Sequence, residues 1–288
     1  MNLKGSSGPN RGMISGSHVA IAVRRNPRET LNKALSKLSE PLPFQRPLER
    51  ILIKPSVYNP DLPGNTSLEL LEAIVYSFEQ VAPIYILESD NPVRSAWEAF
   101  SESGYDKLES SRVNLVNLSE AELAPVDMPG NFFEQKEMPR LLSGNTFMIN
   151  LAVPKIEPEV STYSGAIKNL FGLLPEKDKS VYHEQLSDVL LDLLLVFEPD
   201  FSIMDLGEII MGPRENRETK HLGGVALSLD IVGLDAFCAG LYGFDPLGVD
   251  YILRAYHEGI GEGMLDRIQV LGTEYQKEQL MTAFSKFL

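Results

Sequence analysis

Along the chain, short apolar runs alternate with stretches of helical period, the alternation that builds a parallel sheet with helices on its faces. The pattern predicts strands over His18–Arg24, Ile51–Pro55, Ile84–Glu88, Val113–Leu118, Thr146–Val153, Phe201–Asp205, Gly224–Leu229 and Ile268–Leu271. Between them, Thr66-Ser67-Leu68-Glu69 reads as a capping box, with Thr66 as N-cap of a helix reaching Gln80. Pro92 opens another helix at its first position and Gly104 closes it. A stripe through Leu186, Val189, Leu190 and Leu193 predicts a helix over Tyr182–Phe197, which Pro199 forbids from continuing. The last helix is expected over Tyr275–Phe287. Residues 119–145, rich in Pro, Gly and acidic side chains, break the rhythm and read as an irregular or antiparallel insertion. Met211–His221, with Gly212-Pro213, Arg214, Arg217 and Lys220, reads as a surface loop, a mobile lid being the sharper alternative. The expected fold class is therefore α/β: mostly parallel sheets with flanking helices in two Rossmann-like lobes. A flexible tail (1–17) precedes an N-terminal lobe with the insertion (18–145) and a C-terminal lobe (146–288).

Charge narrows the choice of partners. A net charge of -14 over 288 residues opposes nucleic acid, whose phosphates need a positive face, and opposes an anionic membrane surface, yet it leaves room for a basic pocket. The single cysteine, Cys238, excludes an intrachain disulfide and any cysteine-ligated iron–sulfur cluster within the chain. Lying in Ala236-Phe237-Cys238-Ala239-Gly240, it reads as a small buried hydrophobe. Four histidines, His18, His183, His221 and His257, show no metal-ligand spacing, so no residue is assigned to a metal, although carboxylates are able to hold Mg²⁺. The greasiest segment, Val189–Phe197, is too short to span a bilayer and is interrupted by Asp192. The N-terminus has no apolar signal-peptide core, and a cytoplasmic address is expected.

Candidate chemistry gathers where apolar strands meet polar residues. In open parallel sheets, ligands bind outside the carboxyl ends of the strands. If the strands are parallel, Lys54, Glu88, Asn150, Lys155, Asp205 and Asp230 converge on one edge. The run Ser164–Pro175 adds an adjacent Lys168-Asn169 inside an apolar segment, with Gly165 and Gly172 around it. A buried lysine needs a partner or water, so Lys168 either snorkels to solvent or meets an anion. Lys54, Lys155, Lys168, Asn169 and Gly172 are thus the expected binding residues for an anionic small molecule or cofactor, whose identity is unknown. His183 and Asp205 are the candidates for proton transfer or metal contact. Blander roles compete: polar residues end strands in any fold, His183 fits a surface or capping position, and Asp230 fits the N-cap of Ile231–Leu241. There is no GxGxxG after the first strand, no Walker A loop and no Gly-x-Ser-x-Gly elbow.

The residues Ile51-Leu52-Ile53-Lys54-Pro55, Thr66, Glu88-Ser89 and Asn150–Lys155 form one part of a larger pattern. The Gly165–Gly172 run, Lys179 with His183, Asp205, Asp230–Asp235 and Gly259-Ile260-Gly261 complete it. In this order, from Val19 to Gly272, the chain resembles the domain of unknown function 362 family, and Gly165–Gly172 is the most specific element. The resemblance implies an α/β protein without an assigned activity. Some relatives carry a ferredoxin-like module, which implies redox company, and a weaker likeness in layout reaches the nickel-pincer lactate racemases. Redox or isomerase chemistry follows as an expectation. The chain departs from the family pattern in two places: Ile156-Glu157-Pro158 stands where Thr-His is usual after the lysine matching Lys155, and Ile231 stands where Pro is common. The rival readings are a non-catalytic binding or accessory protein partnering an iron–sulfur enzyme, and a metal-dependent hydrolase with three or more carboxylates in one shell. A homo-oligomer or a redox partner protein fits either of the first two readings.

Overall fold

The computed structural model describes residues 16–38, 40–44, 48–158 and 161–288. The tail expected over 1–17 lies outside the described residues up to position 15, and Ser17 already opens the first strand. In chain order the first half comprises β1 (Ser17–Val23), α1 (Pro27–Leu35), β2 (Arg50–Pro55), α2 (Leu68–Phe78), β3 (Ile84–Glu88), α3 (Ala96–Glu102) and β4 (Val113–Asn117). The hairpin β5 (Leu123–Asp127) and β6 (Gln135–Pro139) follows, then β7 (Thr146–Ala152), the short pair β8 (Lys155–Glu157) and β9 (Thr162–Ser164), α4 (Ala166–Asn169) and α5 (Leu186–Val196). The chain finishes with β10 (Phe201–Ile210), β11 (Thr219–Ser228), α6 (Ile231–Leu241), α7 (Asp250–His257), β12 (Ile268–Leu271) and α8 (Glu274–Ala283).

One eight-stranded sheet, ordered β12-β1-β11-β10-β7-β2-β3-β4, joins strands from both halves of the chain. It is mostly parallel; only β11 runs antiparallel to both of its neighbours. The fold is therefore α/β, as the alternation predicts. Period-two side chains divide the sheet between two cores. Leu52, Met148 and Met204 face the side packed by α4–α7 and the β5–β6 hairpin, whereas Ile53, Ile149 and Ile203 face the side packed by α1–α3. Each fully buried aliphatic side chain contributes about 2 kcal/mol to these cores. Cys238 is fully buried among them.

Several element boundaries differ from the expected ones for local reasons. Thr66 does not cap α2, whose N-cap is Ser67. Instead the Thr66 hydroxyl accepts from the Ser56 amide at 2.9 Å and donates to the Leu151 carbonyl at 3.0 Å, tying the ends of β2 and β7 together. Pro92 does not open α3, because Asn91 accepts from the amides of Val93 and Arg94 in a turn of its own. The helix starts after Ser95, which forms a capping box with Glu98. Gly104 does close this segment, at φ +73°. Tyr182 falls in a 3₁₀ turn over Ser180–Gln185, and the α-helix begins only at Leu186, where the buried stripe begins. Residues 119–145 contain the antiparallel pair β5–β6. The loop between them is anchored by Asp192, whose carboxylate accepts from the amides of Asn131, Phe132 and Phe133 and from the Asn131 side chain. That explains why the greasiest helix tolerates a buried acid: four donors replace its water.

The polar stretch Met211–His221 is the turn of a long hairpin rather than an isolated loop. Strands β10 and β11 stay paired out to Ile210–Thr219, with a register shift between Leu206 and Glu208. Asp205 therefore lies inside a strand, not at its end. Because β11 is antiparallel, Asp230 leaves the sheet at the edge opposite Lys54, and the expected convergence fails there. Asp230 instead caps α6, accepting from the Gly233 amide at 2.9 Å, and also receives the Glu262 amide at 3.0 Å.

Candidate functional site

The carboxyl ends of β2, β3 and β7 open into a cleft of about 400 Å³. Adjacent parallel strands place Lys54 level with Asn150, and both continue the face that carries Leu52 and Met148. Among the described residues, seven lysines and arginines against four carboxylates line this cleft, a local excess of positive charge there in a chain of net charge -14. Lys54, Lys155, Lys168, Asn169, Gly172 and His183 are all brought together there. Asp205 is not. Alternation puts its side chain on the opposite face, with Ile203, where it accepts from the Ser67 amide and hydroxyl and from the Gly207 amide. Its carboxyl has a raised pKa from burial, partly offset by these bonds, and it ties β10 to the start of α2.

The floor of the cleft is an ion-pair cluster. Lys54, 1% exposed, donates to Glu88 Oε2 at 2.9 Å and to the Pro55 carbonyl at 2.7 Å. Arg94 stands 3.6 Å from Glu88 Oε1 and donates to the carbonyls of Ser89, Tyr58 and Val57, which fixes the loop after β3. Burial lowers the Lys54 pKa and the Glu88 charge opposes that shift. Gly172 is required beside this pair: a Cβ there would approach Lys54 Cε to 2.6 Å. Asn169 bridges the strand ends, donating to the Lys54 carbonyl at 3.0 Å and to Asn150 Oδ1 at 2.7 Å, while Asn150 donates to the Ala166 carbonyl.

The walls carry the remaining cations. Lys155 is held by the Val153 carbonyl at 2.9 Å and Ser56 Oγ at 3.3 Å; burial first, then Arg214, brings its pKa down to about 7. Lys179 is held by Ser89 Oγ and the Asp90 carbonyl, with its pKa brought down to about 8, chiefly by burial. Arg214, from the tip of the β10–β11 hairpin, meets Glu157 at 2.9 Å and lies over the Tyr58 ring. Lys168 differs from Lys54, Lys155 and Lys179, the three buried lysines of the cleft. Its ammonium lies 4.3 Å from the centroid of the Phe171 ring and has no hydrogen-bond acceptor or carboxylate in contact among the described residues. Burial and the charges of Arg214 and Lys179 bring its pKa to about 8, against the pull of Glu157. His183 is exposed on the rim and stacks on the same Phe171 ring; burial and Lys168 lower its pKa.

What aims Lys168 is a second buried acid. Asp235, on α6, accepts from the amides of Ala166 at 2.6 Å and Ile167 at 2.9 Å, pinning the first turn of α4. Its burial raises the carboxyl pKa to about 7 in spite of those bonds. Gly165 precedes this turn because a Cβ there would lie 2.1 Å from Asp235 Oδ1.

The pattern of the family described as "Domain of unknown function (DUF362)" matches residues 51–240. The chain belongs to this family. No curated protein matches it. The DUF362 match spans every side chain placed in the cleft, from Lys54 to Arg214, and reaches Asp235 behind it. Strands β1 and β12 complete the same sheet from outside the matched segment. Where this DUF362 chain departs from the expected Thr-His after Lys155, Glu157 forms the ion pair with Arg214.

Arg94 and Arg214 are site residues that sequence reasoning did not choose. Arg94 had no signal in a polar loop, and Arg214 was visible only as one of three basic residues in the Met211–His221 stretch. Among the described residues, no three His, Cys, Asp or Glu side chains are grouped to hold a metal ion, so the carboxylate shell of the hydrolase reading does not form there. No described helix is long and apolar enough to cross a membrane.

Proposed function

We propose that this protein is a cytoplasmic binder of a small anionic molecule, held in the cleft between the two halves of the chain, and that it transfers protons on that molecule. One observation carries the reading: among the described residues the Lys168 ammonium has no acceptor in contact, inside a cleft whose other buried cations are already tied to the protein. A carboxylate or phosphate would supply the missing partner, and in a site drier than water its charge-assisted bonds are strong. Arg214 adds fixed positive charge around it, and Lys155 and Lys179 add theirs while protonated. The amines of Lys155 and Lys168, with pKa values of about 7 and 8, and the imidazole of His183 are all able to exchange protons near neutrality. That supports isomerase chemistry over electron transfer as the reaction class.

Calorimetric titration with small carboxylates and phosphates tests the reading. Lys168→Ala is expected to lower affinity about 10- to 100-fold, the loss of one charge-assisted bond, while leaving the melting temperature close to that of the parent protein. Unchanged affinity in a folded Lys168→Ala protein would sink it. The pH profile is a separate test. Lys155 and Lys168 bind an anion only when protonated, so affinity for a fully ionised ligand should be highest below pH 7 and fall as pH rises through 7 and 8. A flat profile from pH 6 to 9 contradicts that assignment.

A further inference from the structure

The four lysines in the body of the cleft are not equivalent. Lys54 is locked to Glu88 and the Pro55 carbonyl. Lys155 is locked to Ser56 and the Val153 carbonyl, and Lys179 to Ser89 and the Asp90 carbonyl. An ammonium that donates to two oxygen acceptors in this way is held in place and favoured in its protonated form, so it positions charge rather than reaching a carbonyl carbon. Among the described residues Lys168 alone of the four has no such bond; it is half-buried and projects from a helical turn whose start is fixed by Asp235.

We propose that Lys168 is a nucleophile that forms an imine with an aldehyde or ketone carrying a carboxylate or phosphate group. This rests on the anion-binding reading of the same cleft and names the substrate class. Protonated Lys168 draws the anion in, and its neutral form, accessible with a pKa of about 8, attacks the carbonyl carbon while the other cations of the cleft hold the anionic end. Neutral Lys168 Nζ adds to the carbonyl carbon, nitrogen gives up one proton and the carbonyl oxygen takes one up, giving a neutral carbinolamine. The C–O bond then breaks with a second proton delivered to the oxygen, water leaves, and nitrogen loses its remaining extra proton to leave the imine. The net change is amine plus carbonyl to imine plus water, with no oxidant or reductant required. His183, on the same Phe171 ring, is the group placed to carry the protons in and out. Arg214 supplies fixed positive charge for the anionic end of the substrate, and Lys155 adds to it while protonated.

Surroundings that favour a neutral amine are those that activate lysine nucleophiles generally: partial burial and neighbouring cations. Around Lys168 the charged groups are Glu157, Arg214, Lys179 and His183, and burial together with the cations outweighs the single carboxylate. The imine, once protonated, draws electrons from the adjacent carbon and eases loss of a proton there, which is the step an isomerase of carbonyl compounds needs.

The test is reductive trapping on the full chain. Incubation with 2-oxobutyrate in one arm and dihydroxyacetone phosphate in the other, each with cyanoborohydride, is followed by intact-mass and peptide mapping. The expected result is a single reduced adduct in at least one arm, mapped to Lys168 and absent from Lys168→Arg. The adduct should fall at least tenfold when the non-carbonyl analogue, 2-hydroxybutyrate or glycerol 3-phosphate, is in excess. Calorimetry with those analogues runs in parallel. If an analogue binds but neither carbonyl compound labels Lys168, the imine is overturned and the anion site stands. If neither analogue nor carbonyl compound binds or labels, both readings fall together.

Discussion

Glu88→Ala is expected to destabilise the fold by about 3–5 kcal/mol, the range for breaking a buried ion pair by removing one partner. The reason is the partner left behind. Lys54 is 1% exposed, and without Glu88 its Nζ keeps only the Pro55 carbonyl. Burial already lowers the Lys54 pKa, and Glu88 provides the largest opposing pull, so its loss drives the amine further toward the neutral form. Arg94, 3.6 Å from the same carboxylate, loses its counter-charge as well. Adding Lys54→Met removes the orphaned charge and should recover most of the loss, because apolar replacements of buried pairs are often neutral or better. Urea denaturation of the two single variants and the double variant checks this as a cycle. A Glu88→Ala protein within about 1 kcal/mol of the parent would mean that water reaches Lys54 and the floor is not dry.

Asp235→Ala should remove about 3 kcal/mol of stability and the anion affinity together, since it strips two buried amides of their acceptor and leaves a void. The amides are those of Ala166 and Ile167, and the turn they begin carries Lys168 and Asn169 into the cleft. Gly165→Ala attacks the same contact from the other side, with its Cβ 2.1 Å from Asp235 Oδ1 and 2.4 Å from Tyr163 Oη. The two variants should therefore share one phenotype in thermal melts and calorimetry. If Asp235→Ala folds and binds like the parent, some other contact aims Lys168. The contrast with Lys168→Ala, expected to fold normally, separates the group that meets the ligand from the group that positions it.

Much of this was legible in the residue order. Strands Ile84–Glu88 and Ile268–Leu271 fall where the apolar runs place them, because a run of branched side chains bounded by turn residues has few other ways to be buried. Lys168-Asn169 stood out for an energetic reason, since ammonium and amide groups inside an apolar segment need partners. Lys54 and Lys155 followed from the rule that parallel strands present their ends to ligands. Asp230 as a helix cap was equally local.

What failed was whatever depended on direction and face. Asp205 and Asp230 look like Lys54 in sequence, a polar residue after an apolar run. Yet the pairing of β10 with β11 carries Asp205 into mid-strand and onto the other face, and the reversal of β11 sends Asp230 to the far edge. Neither the direction of a strand nor the face of one residue is written in its own segment, because both are set by which strand it pairs with. The same holds for Asp192 and Asp235, whose partners lie 59 to 61 and 68 to 72 positions away. The sequence by itself determined the α/β class, the principal strands and the lysines that needed explaining. Only the tertiary structure decided which of those lysines are tied by the protein and which one, among the described residues, is left without an acceptor, because partners distant in sequence meet only once the strands have paired.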